Sequence, residues 1–212
     1  AQAVFGAPPG VWSRVDGAGH SAHVDCADPG TDGIPVTSKF RRNLRRKRRR
    51  AGETGAVDFR CVREREELGE ALDAFLTVEQ SGWKGQTGLG TAIGLDPALE
   101  GFYRDLVAGF GASGECQINL MTLDGRPVAG QFCLRQQGVL SLLKIGFDEE
   151  LAAVSPGELL LFEVLDRCRQ DPEITRVSLV TDPPWARRYA VDRTPRVRGT
   201  LYRRTAGGAV HL

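Results

Sequence analysis

Residues 142–165 read LLKIGFDEELAAVSPGELLLFEVL, and the fold turns on how they divide. The first six close the run VLSLLKIGF at 139–147, whose density of Val, Leu, Ile and Phe predicts a strand. DEELAAVSPG at 148–157 interrupts it with acids and a Ser-Pro-Gly turn signal. ELLLFEVLDRCRQ at 158–170 is then a strongly apolar helix, ended by Asp171-Pro172. A strand, a short loop and a helix N-terminus therefore follow one another. Such a terminus offers unpaired N–H groups and partial positive charge, which suits an anion. Ser155 and Gly157 allow a ligand close to the backbone. Lys144, among Leu142, Leu143 and Ile145, is costly to bury unless it reaches a cleft or pairs with Asp148.

Two further strands precede this segment. CQINLMTL ends at Asp124-Gly125 and RPVAGQFCLRQ at Gln137-Gly138, both hairpin signals. Farther upstream, Leu68, Ala71, Leu72, Phe75 and Leu76 repeat at helical spacing. A second helix opens on Asp96-Pro97, a cap followed by an N1 proline, and presents Leu99, Phe102, Tyr103, Leu106 and Phe110. VDFRCV at 57–62 alternates as a strand, with Val57, Phe59 and Cys61 on one side. Downstream, ITRVSLV is a buried strand, TDPPWARRYA a turn with a short helix, and RVRGTLYRR a last strand. The order is β α α β β β α β α β, an α/β layered fold with a mixed central sheet.

SKFRRNLRRKRRR at 38–50 stands before all of this. Nine of its thirteen residues are Lys or Arg. Thr37 or Ser38 caps it, Phe40, Leu44 and Ala51 make a narrow apolar seam, and Gly52 is the expected end. The whole chain carries only +1, so everything outside these nine cations sums to −8. Positive charge is thus a local feature. A solvated structural helix, a binding face for an anionic donor or acceptor, and a nucleic-acid arm are the three readings. The acidic remainder and the lack of interleaved aromatics weigh against the last.

The 212 residues contain 41% hydrophobic and 26% charged positions, as an ordinary globular chain does. Five scattered cysteines without a C-x-x-C argue against a disulfide framework or zinc site and for a reducing cytoplasm. The histidines His20, His23 and His211 lie toward the ends and suggest no metal site. No membrane span or signal peptide is read. Residues 1–37, rich in Gly, Pro, Ala and Asp, read as an irregular extension or the remnant of an upstream lobe, with one domain over 38–212.

The element order, together with SKFRRNLRRKRRR, SGWKGQTGLGTAI, DPALEGFYRDL, DGRPVAGQFCLR, the opening segment and WARRYA, resembles the GNAT-like acyltransferases associated with bacterial cellulose and polysaccharide synthesis. These are relatives of the Fem-type peptidyltransferases. The resemblance covers about residues 38–204 and implies N-acyl transfer to an amine, small or saccharide-linked, from acetyl-CoA or another acyl-CoA, without a metal. It also implies a donor site at the strand–helix junction from Lys144 to Glu158, with Ser155, Gly157, Arg187 and Arg188 on the anion. Asp182 is then the candidate proton acceptor and Tyr189 the candidate donor, while Trp83 and Lys84 are candidates for acceptor contact. Two departures keep alternatives open. LAAVSPGEL has one glycine where acetyl-CoA enzymes carry Q/R-x-x-G-x-G/A, and Ala186 stands where relatives have Lys. An aminoacyl-tRNA donor, and an inactive GNAT-shaped binding module, are the other readings. Oligomeric state is not readable from the sequence.

Overall fold

The computed structural model describes residues 11–27, 34, 36–82, 85 and 90–203. One seven-stranded sheet organises them, in the order β2-β3-β4-β5-β6-β1-β7. The strands are β1 (Val11–Asp25), β2 (Val57–Val62), β3 (Cys116–Leu123), β4 (Arg126–Gln136), β5 (Val139–Phe147), β6 (Arg176–Ser178) and β7 (Asp192–Arg203). The helices are α1 (Ser38–Thr54), α2 (Leu68–Ser81), α3 (Pro97–Ala112) and α4 (Pro156–Gln170). All pairings are antiparallel except β5 with β6.

Local chemistry sets the boundaries. Both hairpins turn on two residues with positive φ, Asp124-Gly125 (50° and 80°) and Gln137-Gly138 (51° and 77°), as a type I′ turn requires. Asp96 caps α3 by accepting from the Ala98 and Leu99 amides, and Thr37 caps α1 by accepting from the Phe40 amide. Helix α1 passes through Gly52 and stops at Gly55, whose N–H returns to the Ala51 carbonyl. On α3, Tyr103 is buried but Phe102 is 53% exposed, so the apolar face is narrower than the spacing suggests.

The irregular reading of residues 1–37 fails for Val11–Asp25. That strand is inserted between β6 and β7, pairing Asp25 with Arg176 at one end and Val11 with Arg203 at the other. His20 and His23 accordingly lie in the sheet rather than in a loose end, while His211 lies outside the described residues.

The sheet has two unlike faces. Helices α2 and α3 close the first over Phe75, Phe132, Tyr103, Leu72 and Ile118, with the Tyr103 ring edge-on to Phe132 at 5.0 Å. Helix α4, with α1 beyond it, covers the second over Leu160, Leu165, Met121 and Leu140. The cysteines Cys26, Cys116, Cys133 and Cys168 are buried as small apolar residues.

Candidate functional site

The second face does not close completely, and hydrogen bonding shows why. The β5–β6 register ends at Ser141 opposite Ser178. The next amide, Leu179 N–H, donates to the Ala22 carbonyl at 2.8 Å, and Ala22 N–H donates to the Thr181 carbonyl at 3.0 Å. Past Ser178 the chain keeps β1, its neighbour since Arg176, and leaves β5. Two residues on, Val180, with φ of 62°, sits in a γ-turn closed by Thr181 N–H on the Leu179 carbonyl at 2.6 Å. A β-branched residue there stores about 1–3 kcal/mol of strain, the kind of cost that functional sites carry. Strand β5 runs on to Phe147 paired with β4 only, while α4 bridges the gap. Between them is a cleft of about 310 Å³.

Apolar side chains line most of it: Leu142, Ile145, Phe147, Leu160, Leu161 and Trp185. A bulge decides which β5 residues face it. Lys144 pairs with Phe132 but Leu142 with the adjacent Cys133, so Leu143 is an extra residue. The side-chain alternation flips at that point. Ile145, opposite Gln131, faces the cleft, whereas Lys144 shares the α2/α3 face with Phe132.

The polar groups gather at the α4 N-terminus. Ser155 is left-handed (φ 50°), gives no side-chain cap, and its Oγ donates to the Ala152 carbonyl at 3.1 Å. Pro156 has no N–H, and the Glu158 and Leu159 amides return to the Ser155 carbonyl. Gly157 N–H finds no acceptor among the described residues, so one helix-end donor borders the cleft unpaired. Glu158 is engaged twice. Its Oε2 meets Lys47 Nζ of α1 at 2.5 Å, and its Oε1 meets Arg188. Burial, then the charges of Arg188 and Arg46, press the Lys47 pKa below the usual lysine value.

A row of buried amides reaches the cleft from the other side. Gln117 Nε2 donates to Asn119 Oδ1 at 2.9 Å, and Asn119 Nδ2 donates to Gln131 Oε1 at 3.3 Å. The Gln131 Nε2 donor is thereby left for the cleft that the residue lines. A ligand carbonyl in this space would meet oriented donors, Gln131 Nε2 and Gly157 N–H, within largely apolar walls.

The structure brings together some of the residues singled out in the sequence. Ser155, Gly157 and Arg188 line the cleft, and Arg187 lies on an adjoining groove. Lys144 does not line it, because of the bulge. Asp182 is held by Arg193 at 2.8 Å, a hydrogen bond that lowers its pKa and makes it a weaker base. Tyr189 is buried beneath Phe40, ring centroids 5.4 Å apart, with its hydroxyl unpartnered among the described residues and its pKa pushed up by burial. Neither Asp182 nor Tyr189 lines the cleft. Trp83 and Lys84 lie outside the described residues. Gln131 and Glu158 were missed as site residues. Gln131 had a signal: Gln117, Asn119 and Gln131 are polar positions inside apolar strands.

No curated protein matches this sequence. Several solved structures share the fold. The FemX structure superimposes with a TM-score of 0.60 at 9% identity, covering 87% of this chain and 61% of that one. The C-terminal domain of a putative lysylphosphatidylglycerol synthetase from Agrobacterium fabrum gives 0.56 at 13% identity, covering 95% and 64%. L-PGS from Bacillus licheniformis gives 0.52 at 16% identity, covering 95% and 65%. The chain thus spans less than two thirds of each of these structures. Among the described residues no helix is long and apolar enough to cross a membrane. Residues 38–192 match the model of the acetyltransferase (GNAT) domain, and the chain belongs to that family.

Proposed function

We propose that the chain is an N-acyltransferase whose donor, an acyl-CoA, threads its pantetheine arm and acyl group into the cleft between β5 and α4. The observation that carries this reading is the opening itself. Two parallel strands part after Ser178, a strained turn at Val180 follows, and the Gly157 N–H of α4, without an acceptor among the described residues, borders the apolar gap. The amine nitrogen of the acceptor attacks the thioester carbonyl, the C–N bond forms, the C–S bond breaks, and the amine proton ends on the departing thiol. Among the described residues the carboxylate lining the cleft is Glu158, and both its oxygens are engaged by cations. Holding donor and amine in reacting geometry is therefore the chain's main contribution, and the amine must arrive neutral. The sequence resemblance supports a cytoplasmic role in a polysaccharide or envelope pathway, with a saccharide-linked amine as acceptor.

Thermal denaturation with CoA, acetyl-CoA and longer acyl-CoAs tests this. A ligand that binds only the folded chain, present at a hundred times its Kd, stabilises it by about 2.7 kcal/mol. The expected result is a higher Tm with at least one CoA thioester, abolished by Gly157→Trp, which fills the cleft. An unchanged Tm with every CoA would sink the reading.

A further inference from the structure

Helix α1 spends its cations unequally. The side facing α4 and β2 is tied into the fold: Lys47 to Glu158, Arg48 to Glu163 and onto the Phe59 ring, and Arg41 to the Ile34 carbonyl. The neighbouring stripe, with Lys39, Arg42 and Arg46 one turn apart, has no acidic partner among the described residues. With Arg187 and Arg188 these residues line a second, open groove of about 730 Å³ that contains no acidic side chain. Arg188 belongs to both this groove and the cleft, so the two adjoin.

We propose that this groove docks the phosphate-bearing, leaving-group end of the acyl donor, an inference that rests on the function proposed above. Four cations without an acidic partner among the described residues, Lys39, Arg42, Arg46 and Arg187, with Arg188 beside them on Glu158, favour closely spaced anionic groups, and guanidinium forks match phosphate oxygens. The cleft beside them is apolar and uncharged along most of its wall, which suits the other end of the same molecule. At the α4 terminus one oxygen of Glu158 already holds Arg188, so α1 supplies the remaining positive charge. A nucleic-acid strand fits less well. The chain outside Ser38–Arg50 is net −8, and the groove's aromatic residue, Phe40, is packed edge-on against Tyr189 and offers no stacking platform.

Calorimetric titration of the full chain with CoA, dephospho-CoA and pantetheine, at two salt concentrations, tests the inference. Arg42→Glu/Arg187→Glu alters the groove without touching a residue that lines the cleft. CoA should bind the native chain more than tenfold tighter than pantetheine, with dephospho-CoA between them, and should weaken with salt. In the double variant CoA should fall to the level of pantetheine while pantetheine itself is unchanged. The milder Arg42→Gln/Arg187→Gln should fall between and keeps the comparison readable if charge reversal disturbs folding. Equal CoA affinity in native and variant chains, with pantetheine still bound, overturns this inference alone. If neither CoA nor pantetheine binds the native chain, the proposed function falls with it. If a single-stranded RNA ending in CCA binds the native chain and loses affinity in the variants while CoA does not, the groove serves nucleic acid and the inference is wrong.

Discussion

The two faces of the sheet at β4 and β5 belong to the same strands and finish differently. On the α2 side, Gly130 and Gly146 let the helix sit directly on the strands. A Cβ on Gly146 would stand 2.8 Å from Glu79 Cα, and one on Gly130 would stand 2.8 Å from the Phe75 ring. On the α4 side, the same stretch of strand borders a cleft of about 310 Å³. The open face is therefore not a poorly packed version of the closed one. It is flanked by a strained turn at Val180 and by ionic ties at both ends of α4, Lys47 and Arg188 on Glu158 at one and Arg135 on Asp171 at the other. Close packing marks one face and an apolar gap beside a strained turn marks the other, and the proposed function rests on that second face.

A pair of alanines puts that contrast to the sharpest test. In Gly146→Ala the new methyl meets backbone, which cannot rotate away, so a loss of about 2–3 kcal/mol is expected. In Gly157→Ala the methyl meets the Phe147 ring at 3.3 Å, which can shift toward the cleft. The gain in helix propensity offsets that cost, leaving stability within about 0.5 kcal/mol of the native chain. Urea denaturation of the two variants measures both values. Equal losses would mean that the two faces are packed alike and that the contrast is empty.

The closed face was largely legible in the sequence and the open face only partly. Hairpin turns at Asp124-Gly125 and Gln137-Gly138, the Asp96 cap and the apolar period of α2 are local signals, and each appears where expected. The strand–loop–helix order that places α4 beside β5 was also readable. Strand β1 was not. Of its side chains, Ala22, His23 and Val24 are buried, while the stretch from Arg14 to His20, with Gly17 and Gly19, is exposed or half-buried. It is held mainly by backbone bonds to β7, which leave no hydrophobic pattern to read. Lys144 lies off the cleft for a related reason. Period-two reasoning assumes an unbroken pleat, and the extra residue Leu143 flips every position after it. In the sequence Glu158 marked only the end of the donor junction, because its partner Lys47 is far away along the chain.

Glu158→Gln probes the open end of α4. Lys47 has 16% of its side chain exposed and would lose its carboxylate partner in a setting that already disfavours its charge. A loss of roughly 1–2 kcal/mol is expected. Lys47→Met, made in the same background, should restore part of it by removing the stranded charge. In thermal denaturation, failure of that second substitution to recover any stability would show that the tie between α1 and the cleft is ornamental.

The smallest effect belongs to the other end of α4. Arg135, with 11% of its side chain exposed, meets Asp171 at 2.7 Å and also pairs with Glu173. The Arg135 hydrogen bond, more than any other influence, holds the Asp171 carboxyl below its usual pKa. A carboxylate with a depressed folded pKa adds stability in full above its unfolded value of about 3.9, and that contribution fades as the pH falls through the lower, folded value. Asp171→Asn should therefore cost roughly 1 kcal/mol at pH 7 and progressively less below about pH 4, where the native chain has lost the same interaction. Denaturation curves for both chains between pH 2 and pH 7 should converge at the acid end. Curves that stay parallel to pH 2 would mean that this end of α4 is fastened by packing alone, and that the ionic ties matter only where the cleft is open.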